Sequence, residues 1–315
     1  MGKIAFVFPG QGSQIVGMGQ ELAARFAKVK DIYNRADQAL GESLSTTIFE
    51  GPQDILTRTA NAQPSLLTTS IAILELVKEQ NIQADYVAGH SLGEYTALVA
   101  AGALSFEDAV QIVRKRGEFM EAAVPNGNGT MAAILGLDRD RLQQITDEIT
   151  SNGDSVQLAN INCPGQIVIS GTVTGVQKAC EKAKESGAKR AIGLEVSGPF
   201  HSRLMEPASD NLAELLNTYT INEANIPVIS NVTAEPIVDS TTIKKLLIEQ
   251  LYSPVLWEDC VRKMIALGVD TFIEIGAGKV LTGLVRKVDR NVTCLPIFDE
   301  TSLVTALEQL KGVKK

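Results

Sequence analysis

Cysteine is sparse in this chain and scattered: four residues, at 163, 180, 260 and 294, with no Cys-x-x-Cys and no nearby histidine. They read as reduced, mostly buried thiols, which excludes a structural metal and a disulfide framework. Long apolar runs are missing too, and no stretch approaches the length of a bilayer span. The amino terminus, MGKIAFVFPG, has neither the apolar core nor the small-residue cleavage site of a secretory leader. A cytoplasmic protein without a membrane segment is expected. Excess positive charge is absent as well: the formal net charge is −8, which argues against a phosphate-neutralising nucleic-acid surface. No period of 20 to 50 residues repeats, which sets aside solenoids and propellers. Disorder is excluded by 44% hydrophobic and 21% charged residues.

What is present is a chain of 315 residues, long enough for one large domain or one domain interrupted by another. KIAFVF (3–8) reads as a buried strand, followed by the glycine-rich turn PGQGSQIVGMG (9–19) and a helix over 20–39. Pro64 opens a second helix that runs to Glu79, and ADYVAG (84–89) is a short strand ahead of helices over 92–101 and 106–122. This alternation is that of an α/β sheet.

The turn PNGNG (125–129) breaks the pattern. Beyond it come a strand (130–137), a helix (139–150), strands at 155–161 and 166–171, a helix (173–186) and a strand (190–196). That β-α-β-β-α-β order predicts a ferredoxin-like domain, 128–196, inserted between the two parts, 1–127 and 197–315, of a larger domain. The larger domain resumes with helices over 202–217, 242–252, 257–267 and 280–288, strands at 226–231, 269–276 and 292–297, and a terminal helix. Sites in such folds gather at the carboxyl ends of the strands.

One such end carries Gly89-His90-Ser91-Leu92-Gly93, a G-x-S-x-G motif between a strand and a helix. The glycines allow the tight turn that lifts a serine hydroxyl out, and the helix amino terminus favours negative charge. A serine needs a base, and the chain offers two histidines, His90 and His201. His90 adjoins Ser91, where neighbouring side chains diverge, so a serine-histidine pair has to use His201, in SGPFHSRL. No carboxylate in 102–200 announces itself as the third member of a triad.

The segments FPGQGSQ, Gln63-Pro64, GHSLGEY, RKRGEFM, NCPGQIVISG and GPFHS follow one another here. In this order they resemble the malonyl-CoA:acyl carrier protein transacylases, and the resemblance spans essentially the whole chain. It implies an α/β-hydrolase-like domain joined to a ferredoxin-like one, and a discrete bacterial enzyme of fatty-acid synthesis; a monomer is expected. By this resemblance Ser91 is the nucleophile and His201 the base, its imidazole held by the backbone carbonyl of Gln250. The amides of Gln11 and Leu92 form the oxyanion hole, and Arg116 grips the malonyl carboxylate. Phe200 crowds an α-methyl group, and Gln63 belongs to the pocket. The implied reaction passes malonyl from malonyl-CoA to Ser91 and on to the phosphopantetheine thiol of acyl carrier protein, without metal or cofactor. Ala277 stands where the family often has proline, at a turn with no catalytic role.

Other readings share some of these residues. An esterase or thioesterase would use the same elbow without a carboxylate-binding arginine, and a non-catalytic carrier-protein scaffold would need no nucleophile. GQGSQ lacks the Gly-Lys-Ser/Thr ending of a nucleotide loop. The basic stretches 182–190 and 279–290 are solvated helix faces by default, and candidate docking sites for an acidic carrier protein.

Overall fold

The computed structural model describes residues 2–125 and 127–313; Asn126 of the PNGNG turn, residue 1 and residues 314–315 lie outside the described residues. It is a mixed α/β fold with two sheets. The strands are β1 (Lys3–Phe8), β2 (Tyr86–Gly89), β3 (Gly129–Leu135), β4 (Val156–Cys163), β5 (Gln166–Thr172), β6 (Arg190–Gly193), β7 (Val228–Ile229), β8 (Pro236–Ile237), β9 (Val269–Ile275) and β10 (Thr293–Ile297).

The larger sheet has the order β10-β9-β1-β2-β7-β8, parallel except for β8, which turns back antiparallel on β7. Its central strand β1 is buried from Ala5 to Phe8, as expected of a parallel sheet covered on both faces. The smaller sheet is antiparallel, in the order β4-β5-β3-β6. Val255 links the two parts: its carbonyl accepts from Ile161 N–H at 2.9 Å, and its own N–H donates to Ala159 at 2.8 Å.

The first long helix expected divides in two, α1 (Gln20–Arg25) and α2 (Ala27–Leu40). Between them Phe26 is extended, with φ −119° and ψ 111°. It packs against the core, and its carbonyl receives the N–H groups of Val29 and Lys30. Short helices α3 (Leu44–Glu50) and α4 (Gln53–Thr57) follow, too brief to give a periodic signal. Helix α5 (Thr59–Lys78) begins five residues before Pro64, which lies inside it. The proline has no N–H for the carbonyl of Ala60, yet every residue from Ala62 to Leu74 is buried. Burial of a whole helix offsets one missing hydrogen bond.

Helices α6 (Leu92–Ala100) and α7 (Phe106–Ala122) lie close to their expected spans. In the smaller unit α8 (Arg139–Ser151) and α9 (Val173–Glu185) pack on the antiparallel sheet around Ile134, Ile145, Leu158, Ile169 and Val176. Strand β6 stops at Gly193, three residues short of expectation: Leu194 N–H still donates to the Met131 carbonyl of β3 at 3.0 Å, and residues 194–196 line a cavity. The chain then forms a single 3-10 turn, Arg203–Met205, and α10 (Glu206–Leu216) where one helix over 202–217 was expected. The remaining helices are α11 (Ser240–Glu249), α12 (Trp257–Ala266), α13 (Val280–Val288) and α14 (Glu300–Val313). Strand β7 has two residues where six were expected, and β8 carried no signal of its own.

Among the described residues no helix is long and apolar enough to cross a membrane. All four cysteines are free thiols; three are buried and Cys180 is half-buried.

Candidate active site

Ser91 sits where β2 turns into α6, with φ 52° and ψ −106°, a backbone conformation that side-chain-bearing residues avoid. Neighbouring glycines make room for this turn. A methyl at Gly93 would overlap the Phe8 carbonyl of β1, and one at Gly89 would overlap the backbone of Gly93. The serine hydroxyl is thereby held at the carboxyl end of the larger sheet, at the base of a cavity of about 470 Å³.

His201 reaches Ser91 from the other side of that cavity. It too has a positive φ, 56°, and is 3% exposed. Its Nε2 lies 2.8 Å from Ser91 Oγ, and its Nδ1 lies 2.8 Å from the backbone carbonyl of Gln250. A carbonyl only accepts, so Nδ1 carries the proton and Nε2 is left with a lone pair facing the hydroxyl. Burial, together with the positive charge of Arg116, presses the His201 imidazole down to about 3. His90 is also lowered by burial; it points away, with Nε2 2.8 Å from Asn162 Oδ1 and its ring against Trp257.

The His201 imidazole is therefore expected to stay neutral at pH 5, where an ordinary histidine of pKa about 6.5 is mostly protonated. Nitrogen-detected NMR checks this directly with only two rings to assign; a protonated His201 at pH 5 would contradict the site. The sign for stability follows. Below about pH 6.5 the unfolded chain takes up a proton that the folded one refuses, so this histidine lowers stability as pH falls towards 3.

Arg116, on α7, is 1% exposed. Its Nη2 donates to Ser91 Oγ at 3.2 Å and to Gln250 Oε1 at 2.9 Å, and its Nη1 donates to Gln63 Oε1 at 2.7 Å. The guanidinium lies 5.4 Å from the Tyr95 ring centroid, and its Nε has no partner among the described residues. Arg114, two residues away, pairs instead with Glu42 and Asn61 at the surface. Neither Arg116 nor Gln63 is on the cavity wall: Arg116 lies behind Ser91 and Gln63 behind Arg116, whereas Phe200 and Gln11 line the cavity with Met120, Met131 and Leu194. The N–H groups of Gln11 and Leu92 have no protein acceptor among the described residues, which leaves both free to donate.

Reading the residues alone does not single out Glu94 and Asn231. Both are fully buried beside the elbow, and Glu94 accepts from Gln250 Nε2 at 2.6 Å and from Asn231 N–H at 3.2 Å. Burial raises the Glu94 carboxyl to about 7, against the opposing pull of these hydrogen bonds and of Arg116. A glutamate three residues after a motif serine at a helix amino terminus was the one available signal. Asn231, at the end of the strand-like IPVISN, gave none.

Residues 5–302 match the family model described as an acyl transferase domain. The chain is 60% identical over 311 residues to the malonyl CoA-acyl carrier protein transacylase of Bacillus subtilis (strain 168), covering 99% of this chain and 98% of that one. The chain belongs to this transacylase family. Among solved structures of the family, the transacylase from Clostridium perfringens superposes with a TM-score of 0.96 at 42% identity, covering 99% and 98% of the two chains. A malonyl-transacylase solved in complex with its type II PKS acyl-carrier protein gives 0.95 at 40% identity, covering 98% of this chain and 99% of that one.

Proposed function

We propose that this chain transfers malonyl from malonyl-CoA to the phosphopantetheine thiol of acyl carrier protein through a malonyl ester on Ser91. The observation that carries the reading is the distance of 3.2 Å between Arg116 Nη2 and Ser91 Oγ. In a malonyl-serine ester the carboxylate carbon is three bonds from Oγ, which spans about 3–4 Å. An arginine this close suits a short diacid. It also gives up a partner at the right moment, because an ester oxygen is a poorer acceptor than a hydroxyl, and the freed N–H can turn to the carboxylate.

In the first half-reaction Nε2 of His201 takes the Ser91 proton as Oγ attacks the thioester carbonyl. The oxyanion lies against the N–H groups of Leu92 and Gln11, which are fixed by the fold and need no reorganisation. The carbon-sulfur bond breaks, and the departing sulfur of coenzyme A takes the proton back from His201. In the second half-reaction the carrier thiol gives its proton to His201 and attacks the ester. Oγ leaves and is reprotonated. Phe200 narrows the cavity against an α-methyl group, a discrimination of about 1–3 kcal/mol that gives preference without exclusion.

Residues 128–196 are assigned to a ferredoxin-like insertion, supported by the order β4-β5-β3-β6 with a helix after β3 and another after β5. Residues 1–127 and 197–315 are assigned to an α/β-hydrolase-like domain, supported by the parallel sheet and the serine elbow.

The sheet register gathers the two basic stretches at one edge of the smaller unit. Arg190 pairs with Leu135, Leu135 pairs with Gln166, and Gln166 Oε1 accepts from Lys287 Nζ at 2.9 Å. From that edge β6 leads into residues 194–197 of the cavity wall. An acidic carrier protein docked there would have its thiol arm near the cavity mouth.

Intact-protein mass spectrometry after brief mixing with malonyl-CoA tests the reading. The expected result is one malonyl adduct that moves to added acyl carrier protein; loss of the adduct to water with carrier protein present would favour a thioesterase. Reversing charge at Lys287 and Arg190 together is expected to slow the second half-reaction about tenfold and leave the first unchanged. Equal slowing of both would reject this docking edge.

A further inference from the structure

Ser91 is held in its unfavourable conformation by side chains that do not touch the reacting atoms. The carboxamide of Asn231 spans the elbow: its Oδ1 accepts from Ser91 N–H at 2.7 Å, and its Nδ2 donates to the Gly89 carbonyl at 2.7 Å. The carboxamide of Gln250 takes the other side, with Nε2 donating to the Ser91 carbonyl at 3.1 Å. Three backbone groups flanking the serine are thus saturated by two amides, each with one orientation that works. Turning Asn231 over would oppose amide to amide and carbonyl to carbonyl. Turning Gln250 over would place its NH₂ against Arg116 and its oxygen against Glu94.

Glu94 sets those orientations. One oxygen, Oε2, receives both Gln250 Nε2 and the Asn231 backbone N–H, so a single carboxyl fixes where the two amides stand. Gln250 then contacts three members of the site: its backbone carbonyl holds His201, its Oε1 receives Arg116, and its Nε2 holds Ser91. Glu94, Asn231 and Gln250 are each 1% exposed or less, so water does not compete for these bonds.

We propose that Glu94 and Asn231 are positioning residues: Asn231 clamps the Ser91 peptide directly, and Glu94 acts through Gln250 and Asn231 to keep the hydroxyl on the line between His201 and the acyl carbon. This rests on the reading of Ser91 as the acylated nucleophile. The strain at Ser91 is sustained because its surroundings over-determine it, and releasing either amide allows the peptide to relax away from its reactive pose. A misplacement of the order of 1 Å is enough to slow acylation ~10²-fold.

Quenched-flow mass spectrometry of Ser91 acylation separates positioning from folding. The final fraction acylated counts competent molecules, and the rate reports how well each is aligned. Two donors in excess are used, malonyl-CoA and p-nitrophenyl acetate, which has no carboxylate for Arg116. Asn231→Ala is expected to acylate ~10²-fold more slowly and Glu94→Ala ~10-fold more slowly, with both donors affected alike and the final fraction unchanged. Glu94→Gln, which keeps an acceptor oxygen at that position, is expected within about threefold of wild type. Wild-type rates with a smaller final fraction would make the pair merely structural and overturn the proposal. So would wild-type behaviour throughout, or Glu94→Gln as slow as Glu94→Ala. A wild type acylated by the nitrophenyl ester but not by malonyl-CoA would reject the malonyl reading alone, and the ester would still decide the clamp.

Discussion

Ser91→Ala takes up no malonyl group, and His201→Ala takes it up at least ~10⁴-fold more slowly than wild type, with the double variant no worse than Ser91→Ala. The lack of additivity is the informative part. In the proposed mechanism both residues serve one event, transfer of the Oγ proton to Nε2 across 2.8 Å as the acyl carbon is attacked, so removing either removes that event. Among the described residues no other group stands ready to replace the base. His90 is committed to Asn162, and the Arg116 contact to Oγ is a donor that cannot accept a proton. The check is acylation by malonyl-CoA followed by intact mass, with melting temperature to show that each variant is folded. His201→Ala within tenfold of wild type would mean that some other base takes the proton.

The parts of this site legible in the sequence were those that a residue type or a count can fix. Ser91 is marked by its glycines and by the strand and helix around it. His201 is marked by elimination, since only two histidines exist. The third partner was not legible by chemistry, because Gln250 serves His201 through a backbone carbonyl, and every residue has one. Only resemblance pointed to it. Glu94 and Asn231 were hidden differently: their importance lies in contacts across 137 residues of sequence, which no local pattern encodes. The same holds for the fold. The β-α-β-β-α-β succession of the smaller unit was readable from periodicity, while the break at Phe26 and the start of α5 before Pro64 were not. Each is decided by what the segment packs against, and tertiary burial overrides local preference at such points.

Arg116→Ala is expected to lose ~10²–10³-fold in acylation by malonyl-CoA and less than ~10-fold with a donor lacking the carboxylate. Truncating one partner of a buried charge pair removes about 2–5 kcal/mol, and each 1.4 kcal/mol or so is tenfold. The loss should be specific to malonyl because the guanidinium is positioned for the far carboxylate and not for the carbonyl under attack. A second consequence separates this from simple damage to the pocket. Arg116 is the second of three causes that depress His201, after burial and ahead of His90, so its removal raises the imidazole pKa without restoring an ordinary value. A raised pKa means that the base is lost to protonation at a higher pH, and the acid limb of the nitrophenyl-ester reaction should move upward. Gln63 Oε1 and Gln250 Oε1 would also lose their donor in a dry interior, a destabilisation of about 1–3 kcal/mol visible in the melting temperature. Parallel kinetics with the two donors and imidazole NMR across pH supply the check. Equal losses with both donors, or an unmoved His201, would show that Arg116 supports the pocket wall and does not read the acyl group.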